Sequence, residues 1–85
     1  MKVKVLFFAG LREQLGTAAE EIELPAGVST VGALRAHLAK RGDSWKGALA
    51  EGKLIRSAIN QDMAQPSAPI KAGDEVAFFP PVTGG

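Results

Sequence analysis

Apolar side chains alternate with polar ones near both ends of this chain and fall at helical spacing in its middle, and that single change of period restricts the fold more than any composition figure. Lys2 to Phe8 alternates, with Val3, Val5 and Phe7 on one face and Lys2, Lys4, Leu6 and Phe8 on the other, which predicts a first strand. Leu11 to Gly16 places two leucines four apart before a glycine, the pattern of a turn or two of helix or of a plain loop. Ala19 to Leu24 alternates again and stops at Pro25-Ala26-Gly27, giving a second strand hairpin-paired with the first. Ser29 or Thr30 caps the main helix, in which Val31, Leu34 and Leu38 form the apolar stripe, Lys40 and Arg41 sit at the negative end and Gly42 terminates. A shorter helix follows from Asp43 or Ser44 to Leu49, with Trp45 and Leu49 on one side and Gly52 closing it. Leu54 to Gln61 and Glu75 to Pro80 read as strands separated by a polar stretch containing Pro66, Pro69 and the turn signal Ala72-Gly73-Asp74.

Two strands, a helix and two strands describe an α+β domain with one sheet and the main helix across a single face. If strands pair one with two and three with four, the helical crossover sets the first and last strands side by side in parallel. That arrangement is a β-grasp, the ubiquitin-like architecture: a mixed sheet, one main helix and an extended C-terminal tail. The expected division is a domain over residues 1–80 and a flexible tail over 81–85. Eighty-five residues leave room for one modest core.

Composition excludes several kinds of chemistry. There is no cysteine, hence no disulfide, thiolate metal site or cysteine nucleophile, and a single histidine, His37, leaves little general-base chemistry at neutral pH. No apolar run is long enough for a membrane span and the start lacks a secretory pattern, so no membrane role and a cytoplasmic location are expected. A net charge of +1 argues against general nucleic-acid binding. The basic residues do concentrate in the middle, where Arg35, Lys40, Arg41, Lys46, Lys53 and Arg56 read as a solvated helical face. Gly47 to Leu54 approximates a phosphate-binding loop, but Leu54 stands where a hydroxyl must hold magnesium and the interior looks helical, so it is rejected. The acidic pairs Glu20-Glu21 and Asp74-Glu75 read as solvated charge and His37 as a structural or surface residue. Nothing in the chain makes a self-sufficient active site, and no tightly bound cofactor is expected.

The unusual feature is Phe78-Phe79-Pro80-Pro81-Val82-Thr83-Gly84-Gly85. Two prolines remove backbone donors and stop the ladder, so the final strand runs into a segment that must project from the sheet. At roughly 3.3 Å per residue, Val82 to Gly85 reaches about 13 Å. Two glycines without side chains fit a narrow channel and leave the terminal carboxylate accessible. A carboxylate is anionic and a poor electrophile, so chemistry on it needs activation, most naturally as an acyl-adenylate made from ATP by a partner. Alternation also turns Leu6, Phe8, Ala77 and Phe79 to the open face, where parallel first and last strands set Phe8 near Phe79 in an apolar patch suited to a partner.

Over nearly its whole length the chain resembles the small-subunit family of molybdopterin synthase, the MoaD-type sulfur carriers. The resemblance rests on Val5-Leu6-Phe7-Phe8-Ala9 with Arg12-Glu13, Thr30-Val31 with Ala33-Leu34-Arg35, Ile59-Asn60-Gln61, and above all Gly73 to Gly85. Gly10, where a larger residue is common, is a departure in a variable loop. The resemblance implies that Gly85 is adenylated by an E1-like adenylyltransferase and converted to a thiocarboxylate with a sulfurtransferase as partner. The tail then enters the large synthase subunit and donates sulfur to the pterin precursor, forming the molybdopterin dithiolene. Gly84 acts as spacer, and Phe8, Met63, Phe79, Pro80, Pro81, Val82 and Thr83 contact partners, with Met63 placed in the turn after Asn60-Gln61. It further implies a heterotetramer of two large and two small subunits. Alternatives are a carrier for thiamin or another metabolite, a ubiquitin-like protein modifier, and a pure interaction module.

Overall fold

A computed structural model describes residues 1–50 and 52–81. The chain runs β1 (Lys2–Phe7), α1 (Gly10–Leu15), β2 (Ala19–Glu23), α2 (Val31–Ala39), α3 (Asp43–Leu49), β3 (Arg56–Ile59), β4 (Asp62–Ala64) and β5 (Glu75–Phe79). The strands form one sheet in the order β2-β1-β5-β3-β4. β1 and β5 are parallel neighbours, and β1–β2, β3–β4 and β3–β5 are antiparallel. This is the expected mixed sheet of a β-grasp.

The core follows from the two periodicities. Val3, Val5 and Phe7 of β1 and Val76 and Phe78 of β5 turn one way and are buried against Val31, Leu34 and Leu38 of α2. Each fully buried aliphatic side chain contributes roughly 1.5–3 kcal/mol, so this interdigitated layer dominates the stability of a domain this small. Phe7 stacks on Phe78 at 6.3 Å between centroids and meets Trp45 of α3 edge-on at 5.5 Å. Arg41 covers the other side of Trp45 at 4.8 Å and reaches Glu20 at 2.7 Å, tying the α2–α3 junction to β2.

The start of α2 is satisfied by its own cap and by carbonyls from a distant segment. Thr30 Oγ1 accepts from Ala33 N at 3.2 Å, which decides between Ser29 and Thr30 as the cap in favour of Thr30. The amides of Val31 and Gly32, which no intrahelical carbonyl can serve, donate to Ala68 O and Pro66 O. The proline-containing stretch is thereby laid across the start of α2, and Ile70 is carried into the core. The segment Leu11 to Gly16, left open between helix and loop, is a helix that stops at Gly16 in the left-handed region (φ 74°). Gly10 is its first residue and not part of a loop.

Three expectations are corrected. The strand drawn from Leu54 to Gln61 is shorter, because Asn60 and Gln61 both have positive φ (49° and 73°) and form a two-residue reversal. β4 follows it, a strand that the sequence reading lacked, so Met63 lies on β4 paired with Ala58 and not in a turn. Asn60 holds this reversal in place. Its amide donates to Glu75 O, its Oδ1 accepts from Glu75 N, and its Nδ2 donates to Asp74 Oδ1. The main helix ends at Ala39, short of Arg41. The rejected phosphate-loop match begins inside α3, as a helical interior requires.

Candidate functional site: the open sheet face and the root of the tail

The register makes the uncovered face of the sheet explicit. Ala19, Leu6, Ala77, Ala58 and Met63 are successive partners from β2 to β4, so one apolar row crosses all five strands. One step towards the chain's end, Phe79 of β5 is opposite Arg56 of β3. Continuing the β1–β5 register by one residue brings Phe8 beside Phe79 on the other flank, and Phe8 N donates to Phe78 O at 3.2 Å. The row on the opposite side is charged: Glu21, Lys4 and Glu75. The apolar surface therefore lies at the end of the sheet where Phe79 leads into Pro80 and Pro81.

Phe8 is 46% exposed and Met63 63%, whereas Phe79, Pro80 and Leu6 are half-buried. Phe8 is held outward by its backbone. Leu11 N donates to Phe8 O at 3.2 Å, and the intervening Ala9 has φ 53° and ψ −132°. An L-residue there costs about 1–3 kcal/mol, and the strain falls next to the exposed ring.

The carboxylates whose ionisation is perturbed lie at the other end of the sheet. Asp74 is held below the usual carboxylate range by the Lys71 amide and the Asn60 side chain, which donate to it. Glu23 is lowered by a hydrogen bond and charge from the Met1 ammonium at 2.8 Å. Both brace turns and termini. Among the described residues no group of three His, Asp or Glu side chains is arranged to hold a metal, and no helix is long and apolar enough to cross a membrane.

The structure thus brings Phe8, Met63 and Phe79 to one face of the sheet, and Pro80 and Pro81 follow directly on the end of β5. Val82, Thr83, Gly84 and Gly85 lie outside the described residues. The basic middle segment is not the uniform solvated face expected of it: Arg35 is half-buried and donates to three backbone carbonyls, and Arg41 is engaged with Trp45 and Glu20. Leu54, expected as the first residue of a strand and as the mismatch in a phosphate loop, instead lies just before β3 and is 72% exposed, a surface position not assigned to it from the sequence. The signal was available as an apolar residue two positions ahead of the strand that pairs with the final one.

Residues 5–85 match the ThiS family. The chain is 53% identical to the molybdopterin synthase sulfur carrier subunit of Escherichia coli over 98% of this chain and 99% of that one. It is 51% identical to the protein of the same name from Haemophilus influenzae, with the same coverage. Among solved structures it is similar to the complex of subunits 1 and 2 of molybdopterin-converting factor from Helicobacter pylori, with a TM-score of 0.67 and 27% identity over the whole of both chains. With the family match running from residue 5 to residue 85 over this five-stranded sheet, the chain belongs to the ThiS family.

Proposed function

We propose that the chain is the sulfur carrier subunit of a molybdopterin synthase, with the carboxylate of Gly85 as its chemical group. The observation that carries the reading is the apolar row ending at Phe8 and Phe79, at the point where β5 leads into Pro80-Pro81. A docked partner on this face receives the tail, because the last strand ends at the same end of the sheet as the docking surface. The full-length similarity to carrier subunits supplies the reaction.

In this reading the Gly85 carboxylate attacks the α-phosphorus of ATP on an E1-like adenylyltransferase, releasing pyrophosphate. The outer sulfur of a sulfurtransferase persulfide displaces AMP to form an acyl disulfide, which a thiol reductant cleaves to leave the thiocarboxylate and the sulfurtransferase as a mixed disulfide. The large subunit then binds the sheet face and admits the tail, and the sulfur passes to the pterin precursor while water restores the carboxylate. Gly84 lets the tail enter a channel too narrow for side chains. The carrier supplies the sulfur and the docking surface, and catalytic groups come from its partners. A thiol-free chain suits this role, since no cysteine competes for the activated acyl group. Action in the cytoplasm and a heterotetramer of two large and two small subunits belong to the same proposal.

The test is the intact mass of the protein after incubation with ATP, its adenylyltransferase and a sulfur donor. Exchange of one oxygen for sulfur at Gly85 is the expected result. An unchanged mass, with the enzymes active on a control carrier, overturns the reading, and Gly85 joined to lysine side chains instead makes the chain a protein modifier.

A further inference from the structure

Leu54 and Arg35 form a unit that the docking face described above does not include. Leu54 is the most exposed large apolar side chain among the described residues, at 72%. A single exposed leucine is ordinary on a protein surface. This one has a defined place. The β3–β5 pairing ends with Arg56 against Phe79, and its register carried two residues past that last pair points Leu54 towards Pro81, on the face of Arg56. Ile55, next in sequence, packs on the core, so the chain here alternates inward and outward as β3 does.

One side chain gathers three carbonyls ahead of Leu54. Arg35 of α2 donates from Nε to Leu49 O at 2.8 Å and from Nη2 to Ala50 O at 2.6 Å and Lys53 O at 2.7 Å. Lys53 N closes the turn onto Ala50 O at 2.8 Å. A guanidinium fork serves three carbonyls of fixed spacing, which the single ammonium of lysine cannot match. A turn that only had to connect α3 to β3 would not need its carbonyls gathered in this way, and the residue that follows it is Leu54.

We propose that Leu54 is an additional docking anchor for the large subunit, extending the Phe8–Phe79 surface past Pro81, and that Arg35 is its positioning residue. The inference rests on the docking reading given under Proposed function. The occupant is the large subunit because Leu54, of the same strand parity as Arg56, extends the proposed docking face beyond β3 at the end of the sheet where the neighbouring β5 delivers the tail. The bound partner then contacts the tail root from both sides, Phe8 on the β1 flank and Leu54 on the β3 flank.

The experiment titrates the intact carrier into its large subunit by calorimetry. Leu54→Asp is expected to weaken binding by about tenfold or more, since it replaces apolar contact with a desolvated charge. Its melting temperature should stay within about 2 °C, because the side chain is exposed. Affinity within about twofold of the unsubstituted protein, while Phe79→Ala weakens binding, overturns the Leu54 proposal and leaves the docking face standing. Unchanged affinity for both variants overturns the docking reading and this proposal with it. Arg35→Lys, or Arg35→Gln if the lysine variant does not fold, should weaken binding alone but add nothing in the Leu54→Asp background. Additive losses overturn the positioning role.

Discussion

Replacing Phe8 by alanine removes the ring that the open face exposes beside Phe79, and the structure sets how much binding that ring can supply. Phe8 is 46% exposed. A phenylalanine side chain offers about 200 Å² in all, so about 90 Å² of it awaits a partner. At roughly 25 cal/mol per Å², covering that area contributes about 2 kcal/mol, equivalent to about thirtyfold in affinity. The part already packed against the domain contributes a comparable amount to folding, which a domain of ordinary stability tolerates losing. The two effects separate cleanly in the assay: calorimetric titration with the large subunit reads the first, and thermal melting followed by the fluorescence of Trp45, the sole tryptophan, reads the second. Phe8→Leu should fall between the two proteins, as it keeps most of the apolar area. Binding of folded Phe8→Ala within about twofold of the unsubstituted protein would refute the reasoning, because an uncovered ring supplies no affinity.

Two further outcomes concern stability. Ala9→Gly should stabilise the fold by about 1 kcal/mol, since relief of about 1–3 kcal/mol of backbone strain at φ 53° outweighs the 0.4–1 kcal/mol or so that glycine's added freedom costs in the unfolded chain; chemical denaturation measures it, and a less stable variant contradicts the strain argument. Asp74→Asn should remove part of the acid sensitivity of folding. The folded-state pKa of Asp74 lies below its unfolded value, so the charged carboxylate contributes stability that is present above the unfolded pKa and is lost as pH falls through the folded one. Denaturation at neutral pH should therefore show the asparagine variant less stable, with the gap closing in acid, and a gap independent of pH would dismiss Asp74 as a source.

The difference between what was legible in the sequence and what was not has a physical pattern. The strand edges, the Thr30 cap and the inward set Val3, Val5, Phe7, Val76 and Phe78 follow from local periodicity, which burial on one face imposes residue by residue. The reversal at Asn60-Gln61 went unread because it lacks the glycine that usually marks such turns. Its positive φ values are supported by hydrogen bonds from Asn60 to Asp74 and Glu75, residues distant in sequence. With the reversal unseen, β4 was unseen too, and Met63 was assigned to a turn.

The sequence by itself determined the type and order of most elements, the parity of the strands and the chemical character of the chain's end, because each depends on neighbours a few residues away. Only the tertiary structure decided that Ala19, Leu6, Ala77, Ala58 and Met63 form one row, since that requires the registers of four separate strand pairings at once. It alone decided what Arg35 does. A basic residue on a helix reads as solvated until the fold brings three carbonyls within reach of its guanidinium, and those carbonyls belong to a segment some fifteen residues away whose path no local pattern describes.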